Sequence, residues 1–183
     1  LFEQAGGYCM ILDPNTADGI PVIVDANKAA CEMHGYSRQE FIGRPIAEID
    51  DADGKRLVKE RTREVLTGKP FYIENVHVRK DGTTFNVAIN AQRIDIGGEP
   101  PLILTTEYDI TDLKTSDEKK NKAYDLLKNA EKVANIGSWE WDILKDEFSM
   151  SDQWLQIHGV QNRNLAMSEL IKIAHPDDVD EIE

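Results

Sequence analysis

The side chains in this chain that could act chemically are few in kind. The chain carries four histidines, His34, His77, His158 and His175, and two cysteines, Cys9 and Cys31. The histidines are scattered and no C-x-x-C pair exists, so the spacing predicts no metal cluster and no disulfide framework. The cysteine usage fits a reducing compartment. No glycine-rich phosphate loop, G-x-S-x-G or H-E-x-x-H is present. The carboxylates are many but follow no pattern. No catalytic residue set is expected. His34 and His158 each stand just before a glycine, and are read as cations at the C-terminal ends of two short helices.

The elements that would hold these residues follow from pattern. Gly7 to Leu12 and Val22 to Val24 read as short strands. Asn27 offers an N-cap for a helix through Ala29, Ala30, Cys31 and Met33 that Gly35 stops. Ser37 with Glu40 makes a capping box for a second short helix. Asp50 to Gly54 is polar and reads as loop, and Lys55 to Leu66 as an amphipathic helix. Phe71 to Val78 and Thr83 to Ile94 flank Lys80-Asp81-Gly82 as a hairpin, and Leu102 to Tyr108 is a last strand. The order β-β-α-α-α-β-β-β implies an α+β fold with helices on one face of an antiparallel sheet.

Strand alternation sets candidate faces. Phe85, Val87, Ile89 and Ala91 form the apolar face of their strand and should point inward. A three-residue loop with Gly82 in the left-handed position would set Phe71, Ile73, Asn75 and His77 on the same side. A two-residue loop would set Tyr72, Glu74, Val76 and Val78 there. The first suits the turn residues better.

Beyond residue 110 the character changes. Thr111 to about Asn135 lacks proline and glycine, and Leu113, Ala123, Leu127, Ala130 and Ala134 make a sparse apolar stripe. Two readings stand: a short dimerising coiled coil, or a solvated connector helix. Ser138 to Ile143 and Glu147 to Met150 read as strands, followed by a helix capped at Ser151 or Asp152 and stopped by Gly159. Asn27…His34-Gly35 and Ser151…His158-Gly159 repeat at an offset of 124 residues.

Composition bounds the function. The formal net charge is −13, which argues against nucleic acid or anionic lipid as a main partner. No apolar run is long enough to span a membrane, and no leader is visible. The start at Leu1 and the stop inside a helix-like phrase suggest a piece of a longer polypeptide.

Several phrases carry a family resemblance. Val24-Asp25-Ala26-Asn27-Lys28-Ala29-Ala30, His34-Gly35-Tyr36-Ser37, Glu40-Phe41-Ile42-Gly43-Arg44, Lys80-Asp81-Gly82-Thr83 and Asp109-Ile110-Thr111-Asp112 stand in the order and spacing of a PAS domain. Residues 1–112 thus resemble a PAS domain, 113–135 a helical linker, and 136–183 the front half of a second PAS unit. That last match rests on Ile136-Gly137-Ser138-Trp139-Glu140-Trp141-Asp142, His158-Gly159 and His175-Pro176-Asp177-Asp178. Without its remaining strands, the half-unit would be partly disordered or borrow a surface from a neighbouring chain. The resemblance implies a five-stranded PAS sheet with helices on one face, in a cytoplasmic prokaryotic multidomain sensor. The parent would be a histidine kinase or a cyclic-di-nucleotide enzyme with a GGDEF-type output domain, or the cytoplasmic part of a membrane-anchored sensor.

The resemblance also implies a site. It places His77 at the pocket and turns Ile103, Thr105 and Glu107 inward. Asn75, His77, Val87, Ile89, Thr105 and Glu107 would then line a small-ligand cavity. On the other reading, His77 and Glu107 satisfy each other or face solvent. Asp109 and Thr111 would pass the signal to the linker helix, with Asp109 also a natural cap. The ligand is not named by the sequence. Flavin is disfavoured because Arg44 to Ile49 lacks the Asn-Cys-Arg phrase of covalent flavin photosensors. Haem is disfavoured because residues 54–67 hold no histidine. A homodimer through the linker helix is the expected assembly. A ligand-free dimerisation and relay module is the competing function.

Overall fold

A computed structural model describes residue 3, residues 7–145 and residues 147–161. The phrase His175-Pro176-Asp177-Asp178 lies outside the described residues. The chain divides into two compact units, residues 1–116 and 117–183.

In the first unit, strands β1 (Tyr8–Asp13) and β2 (Val22–Ala26) precede helices α1 (Lys28–His34), α2 (Arg38–Phe41) and α3 (Ala52–Leu66). A 3-10 turn at Ile46–Glu48 lies between α2 and α3. Strands β3 (Phe71–Val78), β4 (Thr84–Ile94) and β5 (Leu102–Asp109) follow. The five strands pair antiparallel in the order β2-β1-β5-β4-β3. The helices pack on one face, and the core between them includes Met10, Ile23, Phe41, Ile49, Val58, Val65 and Ile103.

Local chemistry starts and stops these elements. The Asn27 side chain accepts the Ala30 N–H at 2.9 Å, and Gly35 closes α1 at φ 74°. Ser37 and Glu40 form the expected capping box on α2. Helix α3 begins three residues earlier than its apolar pattern predicts. Asp51 caps it by accepting the Gly54 N–H at 2.9 Å, so Ala52 to Gly54 is helix rather than loop. Gly82 turns the β3–β4 hairpin at φ 85°, where a side chain would be strained. The register pairs Phe71 with Ala91, Ile73 with Ile89, Asn75 with Val87 and His77 with Phe85, as the three-residue loop requires.

Helix α4 spans Thr111–Ala134. Its stripe residues Leu113, Ala123, Leu127, Ala130 and Ala134 are all exposed in the single chain. In the second unit, β6 (Trp139–Asp142) and β7 (Glu147–Met150) form a hairpin, and α5 (Asp152–His158) follows. Helix α5 repeats the build of α1: seven residues, a side-chain cap (Ser151) and a left-handed closing glycine, Gly159 at φ 67°. Trp141 stacks on Phe148, with centroids 5.4 Å apart. Among the described residues no helix is long and apolar enough to cross a membrane.

Candidate functional site

The site lies where the end of α1, the start of α3 and strands β3 to β5 meet beneath the helices. Alternation along β3 turns Asn75 and His77 inward, and alternation along β5 turns Thr105 and Glu107 inward. His77, Thr105 and Glu107 are fully buried, and Asn75 is half-buried. Together with Asp50, Ile89 and the α3 residues Val58, Arg61, Thr62 and Val65 they line a cavity of about 70 Å³. That is room for a few waters, well under the roughly 300–1,000 Å³ of drug-sized ligand pockets. Val87, expected in the wall, is not part of it. It packs with Phe85 and Ile89 against Met33 and Ile73, although its register partner Asn75 does line the cavity.

Two side chains absent from the predicted site belong to it. His34, read as a charged helix end, is wholly buried. Its Nδ1 lies 2.8 Å from the Ala30 carbonyl and its Nε2 3.0 Å from His77 Nδ1. A carbonyl only accepts, so Nδ1 carries the hydrogen. Burial and the neighbouring His77 push the His34 pKa down to about 3, so the ring is neutral. His34 Nε2 therefore accepts, and His77 Nδ1 donates to it. The expected helix-end contact is present, but the burial that comes with it removes the charge. Asp50, read as loop, is the other. Its carboxylate lies 3.4 Å from His77 Nε2 and accepts from Asn75 Nδ2 at 2.8 Å.

The acidic side of the cluster balances the basic one. Glu107 Oε2 lies 3.7 Å from His77 Nδ1. Burial is the largest influence on His77 and opposes its charge, but Glu107 and Asp50 outweigh it and raise its pKa. Burial raises the Glu107 pKa against the pull of His77. Glu107 Oε2 and Thr105 Oγ1 are buried and make no close hydrogen bond, although the Thr105 hydroxyl is near enough to draw the Glu107 pKa down. Each such atom costs about 1–3 kcal/mol. The expectation that the histidines are scattered fails for two of them. The fold brings ligand atoms of His34, His77 and Glu107 within 4.8 Å of one another.

At the far end of β5, Asp109 and Thr111 join the sheet to α4. The Asp109 carboxylate accepts the Thr111 N–H at 2.8 Å. The Thr111 hydroxyl accepts the Asn86 N–H at 2.9 Å, and the Ile110 N–H donates to the Asn86 carbonyl at 2.9 Å. Asn86 of β4 thus holds the junction by both backbone groups, a role the sequence pattern left invisible. Arg79 reaches from the hairpin to this junction. Its Nε donates to the Met33 carbonyl at the end of α1 (2.9 Å), and its guanidinium lies 3.8 Å from the Asp109 carboxylate. The adjacent Lys80 N–H donates to the His34 carbonyl at 2.9 Å. A continuous path of contacts therefore runs from the buried histidines to the start of α4.

Comparison with known proteins agrees with this architecture. The family described as PAS domain matches residues 7–112, more than half of the chain. The PAS domain of an HTR-like protein from Haloarcula marismortui is 27% identical, with a TM-score of 0.51 over 60% of this chain and 86% of that one. A domain of a sensory box sensor histidine kinase/response regulator from Geobacter sulfurreducens is 23% identical, with a TM-score of 0.51 over 60% of this chain and 88% of that one. Among curated proteins, the probable diguanylate cyclase DgcE of Escherichia coli (strain K12) is 19% identical over 140 residues, 75% of this chain. The chain spans 13% of the length of that relative.

Proposed function

Because the chain belongs to the PAS domain family through residues 7–112, a sensory and non-catalytic fold typical of signalling proteins, we propose that it is the sensing and relay module of a larger prokaryotic signalling protein. The cavity bounded by Asn75, His77, Ile89, Thr105 and Glu107 takes a small polar ligand. Occupancy shifts the balance between two arrangements of the sheet and α1. Arg79 and the Asp109-Ile110-Thr111 junction pass that shift to α4. The observation that carries this reading is a pair of buried polar atoms, the Thr105 hydroxyl and Glu107 Oε2, that make no close hydrogen bond among the described residues and have each other and His77 nearby. They stand in the wall of a cavity that a few small polar molecules would fill.

The parent is a histidine kinase or a cyclic-di-nucleotide enzyme acting in the cytoplasm. The likeness to DgcE supports the second class. Residues 113–135 are its linker helix and 136–183 the front of a second PAS unit, a reading supported by the shared build of α1 and α5. The exposed stripe of α4 pairs with a second copy of the chain. A ligand-free relay is the second reading, favoured by the small cavity volume.

The test is native mass spectrometry of protein purified from cells, with an ultraviolet–visible spectrum alongside. A stoichiometric added mass is the expected result. A bare chain mass that stays bare on incubation with cell extract metabolites would replace the ligand reading by the ligand-free relay.

A further inference from the structure

We propose that His34 Nε2, His77 Nδ1 and Glu107 Oε2 form a binding site for one divalent first-row transition-metal ion, with the cavity supplying its open coordination position. This goes beyond the sensory reading and does not depend on it, since an ion held here could be structural.

The spacing of the donor atoms fits an ion. The two nitrogens are 3.0 Å apart, and Glu107 Oε2 is 3.7 Å from His77 Nδ1. Donors about 2.0–2.1 Å from a tetrahedral ion stand about 3.3 Å from one another, so small side-chain shifts complete the geometry. The atoms come from three different elements, α1, β3 and β5, which converge from separate directions and leave the cavity side free.

The outer contacts are those a metal-ligating histidine needs. Each ring turns one nitrogen toward the candidate site and the other toward an acceptor. His34 Nδ1 faces the Ala30 carbonyl at 2.8 Å, and His77 Nε2 faces the Asp50 carboxylate at 3.4 Å. Such partners orient the rings, and an ion would displace the hydrogen that His77 Nδ1 otherwise donates to His34, leaving the His77 hydrogen on Nε2 facing Asp50. Asp50 is held in turn by Asn75. The His34 ring is wedged by Phe41 and Phe85, with centroids at 5.1 and 5.2 Å. The donors are therefore pre-positioned.

Glu107 supplies the independent observation. Its Oε2 is buried, makes no close hydrogen bond and faces the histidine pair, 3.7 Å from His77 Nδ1. A divalent ion would give that atom a partner. Its two positive charges would be matched by the Glu107 and Asp50 carboxylates, and a buried charge needs such matching. Two imidazoles and one carboxylate are borderline donors suited to zinc, iron, cobalt or nickel rather than calcium or magnesium.

The test uses the full chain without an affinity tag, stripped with a chelator and titrated with Co²⁺. The expected result is a visible ligand-field band that saturates at one ion per chain and is bleached by one equivalent of Zn²⁺. His77→Gln and Glu107→Gln should abolish the band. Asp50→Asn should weaken binding roughly 10–100-fold while keeping the band, as loss of an outer partner does. His158→Gln should change nothing. Nitrogen NMR of the histidine rings in the unsubstituted chain reads ligation even if a variant fails to fold. Zn²⁺ must move the His34 Nε2 and His77 Nδ1 resonances. Absence of a saturable band, or ring resonances of His34 and His77 unmoved by Zn²⁺, overturns the proposal.

Discussion

Thr111→Val is the sharpest probe of the junction between sheet and helix. Valine keeps the shape of threonine and removes one atom that matters. The Thr111 hydroxyl accepts the Asn86 N–H at 2.9 Å, one step beyond the last β4–β5 pair, Val87 with Asp109. The side chain thus extends the β4–β5 ladder by one hydrogen bond. Its loss leaves a half-buried donor unsatisfied. A fully buried orphan costs about 1–3 kcal/mol, and the partial exposure here places the cost near the lower end, about 1 kcal/mol. With about 1.4 kcal/mol per factor of ten, local opening becomes about fivefold easier. Amide hydrogen exchange followed by NMR reads this directly. The Asn86 amide should exchange at least fivefold faster in Thr111→Val, and Ile110 and Lys114, which open with the junction, should follow. Thr111→Ser, which keeps the hydroxyl, should restore protection. The refuting result is an Asn86 amide equally protected in the unsubstituted chain and in Thr111→Val. The hydroxyl would then not hold the junction, and the path to α4 would lose its last link.

Three further outcomes are expected. Asn27→Ala removes the buried side chain that accepts from Ala30 N and Cys9 N and donates to the Gly7 carbonyl, so unfolding in urea should show a loss of roughly 3 kcal/mol or more, with Asn27→Asp in between. Gly54→Ala places a methyl 2.8 Å from Asn75 Nδ2 and 2.9 Å from Asp50 Cβ, so it should lower the melting temperature and shift the ring resonances of His77 through displacement of Asp50. Lys80 first, then Ser37, hold the Glu40 pKa down to about 2 from 4.5; a folded-state value below the unfolded one stabilises above the unfolded pKa and is lost as pH falls. Urea midpoints of Glu40→Gln and the unsubstituted chain should therefore differ at neutral pH and converge as the pH approaches about 2.

The residues that were easiest to place from sequence are those whose signals are local. Alternation along Phe85 to Ala91 put the right side chains inward, and Gly82 at the turn chose the register that brings Asn75 and His77 with them. The caps at Asn27, Ser37 and Ser151 act within three residues and were legible for the same reason. Helix α3 shows where local reading stops. The polar stretch Asp50 to Gly54 reads as loop, yet its last residues open the helix, and a Cβ at Gly54 would meet Asp50 and Asn75 at under 3 Å. The glycine serves a contact with β3 that no pattern within the helix records. Val87 marks a similar limit: alternation gave its face, but not which residues on that face line the cavity.

What the sequence by itself determined is the set of elements, the face each strand turns inward, and through them the PAS fold. Periodicity, caps and turns depend on neighbours a few residues apart, so one dimension suffices to read them. What only the tertiary structure decided is the company of His34. It sits 43 residues from His77 and 73 from Glu107. Its place at a helix end suggested a cation, and packing of α1 onto the sheet made it a buried neutral ring facing two ionisable partners. Burial sets both its charge and its neighbours, and burial is a property of how whole elements pack.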